Sequence, residues 1–121
     1  MGNQVFNMVA RLDIADFLGS PNAILQKFGL MVYREAHRIV AAGKSVELYF
    51  GNLRNTTTGF FHASVGNLAK DFGSKYEQLV TVTGLEGHND WVEKYNDAIE
   101  LATNPEMVKE IDKAIAELFV S

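Results

Sequence analysis

"KSVELYFGNLRNTTTGFFHASVGNLAKDFG", residues 44–73, decides the fold. Its opening run SVELYF (45–50) alternates, with Val46, Leu48 and Phe50 on one side, which is strand periodicity. Its closing run recurs at helical intervals: Phe61, Val65, Leu68 and Phe72 lie four, three and four residues apart, and Gly73 stops it. Between them sits RNTTTGFF (54–61), with three hydroxyls, a glycine and two phenylalanines. A strand that empties through a turn into an amphipathic helix is the building block of an α/β sheet.

The same grammar extends both ways. Upstream, VFNMVARLDI (5–14) places Phe6, Met8, Ala10, Leu12 and Ile14 on one face and Asn7, Arg11 and Asp13 on the other. After Gly19, Ser20 reads as a helix cap with Pro21 in the first turn. Ile24, Phe28, Met31, Val32 and Ile39 then form its apolar stripe until Gly43. Downstream, YEQLVTVTG (76–84) reads as a third strand from its β-branched content. Asp90 with Glu93 reads as a cap for a helix carrying Trp91, Tyr95, Ala98, Ile99 and Ala102. TNPEM (103–107) breaks that helix, and Pro105 opens a last one through Val108, Ile111, Ile115, Leu118 and Phe119. Strand, helix, strand, helix, strand, helix, helix predicts parallel pairing through right-handed crossovers. The expected fold is a single small α/β domain over residues 1–121. It has a three- to four-stranded, mostly parallel or mixed sheet, crossover helices and a C-terminal helix pair.

Composition narrows the function. The 121 residues are 47% hydrophobic and 21% charged, within the range of one ordinary core. With no cysteine, disulfides, thiolate metal sites and cysteine nucleophiles are excluded. No apolar stretch approaches the ~20 residues of a membrane span. The segment MGNQVFN has no secretory pattern and carries Phe6 where an acylation motif wants a hydroxyl, so the expected location is the cytoplasm, away from membranes. Net charge is −4 and unevenly spread: residues 86–121 carry nine acidic side chains against three lysines, while residues 1–85 are net positive. No basic stripe with interleaved aromatics is present, so nucleic acid is not an expected partner. A small sheet with open edges makes a monomer or weak homodimer the expected state.

In an open α/β sheet, ligands gather beyond the carboxyl ends of the strands. Those ends lead into residues 13–20, 51–59 and 84–90, a rim bearing Asp13, Asp16, Asn52, Arg54, Thr56, Thr57, Thr58, Glu86, His88 and Asn89. One threonine can cap the following helix, and capping with β-propensity accounts for all three without any modification. A phosphoryl group on the same turn would be stabilised by the unpaired N–H groups and dipole of a helix start, with Gly59 allowing close approach and Arg54 adding charge. His62, one helical turn beyond Thr58, is in reach as a general base, but no orienting acid lies nearby in sequence. His37, His62 and His88 have no metal-ligand spacing, so no metal, cofactor or catalytic set is expected.

Residues 44–73 resemble the STAS-like domain family of bacterial proteins, relatives of anti-sigma-factor antagonists. That family runs a strand of the type V-x-L-D-F-x-G-V into a hydroxyl-rich turn, then a helix with S-F and G-K-L. The counterparts are Val46 to Leu53, then Thr57, Thr58 and Phe60, then Gly66, Asn67 and Leu68. LVTVTGL (79–85) is similar to the family's next strand. Antagonists carry Asp-Ser-Ser-Gly at the turn, and a GHKL-type kinase phosphorylates a serine there. Thr57 and Thr58 stand in the serine positions, Gly59 in the glycine's and Thr56 in the aspartate's. The resemblance implies a non-enzymatic regulatory protein-interaction module acting with a GHKL-type ATPase or kinase. Thr58, and after it Thr57, would be the phosphoacceptor, with Arg54, Asn55, Thr56, Gly59, Phe60 and His62 in the partner-binding surface. The alternative is a nucleotide- or anion-binding domain using the same rim.

Overall fold

The computed structural model describes residues 8–104. Three parallel strands form the sheet in the order β1 (Val9–Asp13), β3 (Ser45–Tyr49), β5 (Val80–Thr83). Their register sets Ala10 against Val46 and Val46 against Val80, then Leu12 against Leu48 and Leu48 against Val82. One face is therefore apolar across all three strands. The other carries Arg11, Glu47, Tyr49, Thr81 and Thr83. There Thr83 donates to Glu47 at 2.7 Å, and the Arg11 guanidinium sits 4.0 Å over the Tyr49 ring.

The helices α2 (Gln26–Ala41) and α6 (Asn89–Thr103) flank a central helix built in three pieces: α3 (Thr58–Phe61), a π-helical turn (His62–Gly66) and α4 (Asn67–Phe72). Both flanking helices pack on the π-helical turn. Phe50, at the end of β3, stacks on Phe61 at 5.3 Å and meets Phe60 edge-on at 6.2 Å, all three rings being fully buried. The paired phenylalanines after the threonines are thus the bolt between strand and helix. Trp91 and Ala98 bring α6 onto the same core. No helix among the described residues is long and apolar enough to cross a membrane.

Several boundaries differ from the sequence expectation. Of the strand expected over 5–14, residues 5–7 lie outside the described residues and the rest pairs over Val9–Asp13: Ile14 is buried, but as the first residue of α1 (Ile14–Leu18), which Asp13 caps through the Asp16 N–H. The helix expected from Ser20 and Pro21 begins instead at Gln26. Pro21 gives its carbonyl to the Arg54 N–H at 2.7 Å, and Asn22–Ala23 becomes β2, paired in parallel with β4 (Asn55–Thr56). Ile24 and Met31, assigned to the apolar stripe, are 48% and 42% exposed. The third strand is confined to its β-branched part, because Tyr76 and Leu79, three residues apart, are both buried from a single helical turn, α5 (Tyr76–Leu79). The cap of α6 falls at His88; Asp90 lies in the first turn and pairs with Lys94 at 3.8 Å. The helix expected from Pro105 to Phe119 lies outside the described residues.

Gly29 is where α2 touches the central helix. A Cβ there would lie 2.7 Å from both the Phe60 carbonyl oxygen and the Ala63 Cβ, closer than such atoms approach. Gly29→Ala should therefore destabilise the fold by about 1–3 kcal/mol, as overpacking does, despite the better helix propensity of alanine. Urea unfolding measures it; an unchanged or higher midpoint would contradict this helix crossing.

Candidate functional site

The threonine turn is held by a short zipper. Beyond the β2–β4 pairing, the Asn55 side-chain amide donates to the Asn22 side chain at 2.6 Å, and the Arg54 N–H donates to Pro21. The three threonines then have three different fates. Thr56, in β4, is buried, and its hydroxyl has no hydrogen-bond partner among the described residues. Thr57 is the helix cap: its Oγ1 accepts from the Phe60 N–H at 3.2 Å and donates to the Ile24 carbonyl at 2.8 Å. Thr58 is the first helical residue, exposed, and no hydrogen bond engages its hydroxyl among the described residues. Among the described residues, Thr58 alone of the three combines exposure with an unengaged hydroxyl.

The remaining candidate positions divide. Arg54 and Asn55 are exposed beside the turn. Thr56 and Phe60, expected on the docking surface, are not available there: Thr56 is 8% exposed and Phe60 is wholly buried against Phe50 and Phe61. Gly59 sits close against the start of α2, where a Cβ on it would meet the Gln26 side chain at 3.3 Å. His62 lies with Thr58, Asp97, Glu100 and Leu101 around a groove of about 310 Å³. Asp97 supplies, from α6, an acid beside His62 that local sequence could not reveal. Burial pushes the His62 pKa below its ordinary 6.5, and the Asp97 carboxylate offsets part of that.

Sequence reasoning missed Ile24 and Leu25. Both are about half exposed, at 48% and 49%, immediately before α2 and next to the Thr57 anchor. They stand out because the chain stays extended through Leu25, the residue before the first helical turn. Only the late start of the helix could have flagged them.

Of the other rim residues, Asp13, Asp16 and Asn52 belong to a separate site, which Glu86, His88 and Asn89 do not line. Asp13, Ala15, Asp16, Gly19, Ser20, Pro21 and Asn52 line a cavity of about 370 Å³ beyond the ends of β1 and β3, where Asn52 donates to Asp13 at 2.7 Å. Two carboxylates and no cation line it, a field that opposes phosphates and nucleotides. Among the described residues, no group of three or more histidine or acidic side chains is placed to hold a metal ion.

The family described as a STAS-like domain of unknown function (DUF4325) matches residues 29–90, just over half of the chain, and the chain belongs to it. The match begins at the Gly29 contact and covers β3, the threonine turn, the central helix and β5. No curated protein and no solved structure matches the chain.

The threonines should separate in stability measurements. Thr57→Ala loses a cap and leaves the Phe60 N–H unpaired, so it should cost about 1–2 kcal/mol. Thr56→Val removes a buried hydroxyl without a partner and should be neutral or stabilising. The reverse ranking in urea unfolding would contradict the geometry. For His62, the unfolded chain takes up a proton at higher pH than the folded one. Its contribution is therefore complete above the unfolded value of 6.5 and is lost as pH falls through the depressed folded pKa. Thermal unfolding between about pH 7.5 and 5 should accordingly depend on pH less steeply in His62→Gln than in the native chain.

Proposed function

We propose that this member of the STAS-like family is a non-enzymatic, cytoplasmic regulatory module whose threonine turn docks a protein partner, and that Thr58 is the residue a GHKL-type ATPase or kinase phosphorylates. The observation that supports this most is the contrast between neighbours. Thr57 is committed to the fold by two hydrogen bonds, whereas Thr58 presents an unengaged hydroxyl at an exposed helix start. An enzyme could take Thr58 without unpicking a cap.

The surroundings suit a docking surface. Exposed Ile24 and Leu25 offer apolar contact beside the turn, with Arg54 and Asn55 as polar neighbours. Backbone pairing of β2 with β4 holds these two loops in one arrangement, which lowers the ordering cost of binding. A phosphoryl group on Thr58 would add nearly two negative charges at a groove already lined by Asp97 and Glu100. A partner that faces this groove with acidic groups would then be repelled, and juxtaposed like charges cost several kcal/mol.

The test is a titration of a candidate GHKL-type ATPase against the native chain, Thr58→Ala, Thr58→Glu and Ile24→Asp. Thr58→Ala should bind about as the native chain does. Thr58→Glu and Ile24→Asp should bind at least about tenfold more weakly, roughly 1.4 kcal/mol. Equal affinity for the native chain, Thr58→Ala and Thr58→Glu would discard the switch. Mass spectrometry after incubation with ATP would identify the acceptor, and modification of Thr57 in place of Thr58 would overturn the assignment.

A further inference from the structure

We infer that the chain associates with copies of itself head to tail, the outer face of α2 on one copy docking against the outer face of α6 on the next. The inference rests on these two helices, and on the acidic side it shares Asp97 and Glu100 with the groove beside Thr58.

The two helices stand on opposite flanks of the central one. α2 meets it at Gly29, against Ala63 and the Phe60 carbonyl; α6 meets it at Ala98, against Gly66. Their outward faces have opposite charge. On α2, Lys27 and Arg34 are exposed with Leu30 and Met31 between them. On α6, Glu93, Asp97 and Glu100 are exposed, with Val92 at the edge of the stripe. Among the described residues no ion pair engages Lys27, Arg34, Glu93 or Glu100; the helical pairs present are Arg38 with Glu35 and Lys94 with Asp90.

The spacing matches as well as the sign. Lys27 and Arg34 are seven residues apart, as are Glu93 and Glu100, so each pair lies on one face, separated by roughly 10 Å of helix. Two cations two turns apart can face two carboxylates two turns apart, with Leu30, Met31 and Val92 supplying apolar contact. Neither face complements itself. A two-fold dimer would set cation against cation or acid against acid if either face met its own copy. The complementary contact is heterologous, and each copy added leaves one face of each kind free, so association proceeds as a row. Exposed ion pairs are individually weak and screened by salt, which makes the association concentration- and salt-dependent.

Sedimentation equilibrium of the full chain tests this, with two variants: Lys27→Glu/Arg34→Glu and Glu93→Lys/Glu100→Lys. At low ionic strength the weight-average mass of the native chain should climb with concentration past twice the 13.4 kDa monomer, and should fall back to the monomer at about 0.5 M salt. Each variant alone carries like charge on both faces and should stay monomeric. An equimolar mixture restores opposite charges between unlike copies and should associate again. A native chain that remains at monomer mass throughout overturns the inference. So does association that persists in both variants, or a mass that stops at two copies. Circular dichroism confirms that the variants keep their fold, and the salt dependence of the native chain decides the matter if one does not.

Discussion

One hydroxyl holds the middle of this molecule together. Thr57 Oγ1 accepts from the Phe60 N–H and donates to the Ile24 carbonyl, so a single atom starts the central helix and ties it to the segment entering α2. The same few residues carry the β2–β4 pairing and the Arg54–Pro21 bond. Once Thr57 is so committed, the chain direction at Thr58 to Phe61 is set, and Phe60 and Phe61 are driven under Phe50. Removing that hydroxyl would release a helix start and a loop together. Its neighbours are left with what remains: Thr56 is sealed inside, and Thr58 faces out.

The contact that follows on the α2 side is unusually close. Gly29 lets the backbone of α2 approach the Phe60 carbonyl and Ala63, and on the other flank Ala98 meets Gly66. Small residues at both crossings bring three helices into one layer over the apolar face of a three-stranded sheet. That economy suits a short chain, because close backbone approach gains dispersion contact without large side chains. It also leaves the outward faces of α2 and α6 to the solvent, where charge and not packing sets their composition.

How much of this was legible depended on range. Alternation in SVELYF and the four-three-four spacing from Phe61 to Phe72 are local signals, and strand and helix form where they stand. A threonine three residues before the Phe60 N–H is a local cap signal too. Ser20 and Pro21 carried an equally good local signal for a helix start, but residues 54 and 55 claim the Pro21 carbonyl from across the fold, and pairing with β4 holds Asn22–Ala23 extended. That displacement is what exposes Ile24 and Leu25, so the apolar part of the candidate surface was hidden from any local reading. The acid beside His62 was hidden for the same reason: Asp97 arrives on α6, thirty-five residues later. Tyr76 to Leu79 failed differently. Its composition suits either state, and the burial of Tyr76 and Leu79 on one side selects a helical turn.

The π-helical turn at His62–Gly66 has a consequence of its own. Its wider winding accommodates one residue more than an α-helical path would, and the Ser64 hydroxyl donates to the Phe60 carbonyl at 2.7 Å across it. The extra residue works as a phase shifter. Upstream, the helix is clocked by the phenylalanine stack; downstream, Leu68 is clocked by its own neighbours, and neither half dictates the angular setting of the other. Trimming a single amino acid there would return the turn to ordinary α-helical winding and leave Asn67 to Phe72 in phase, whereas trimming one from either α-helical flank would swing everything beyond it by roughly a hundred degrees.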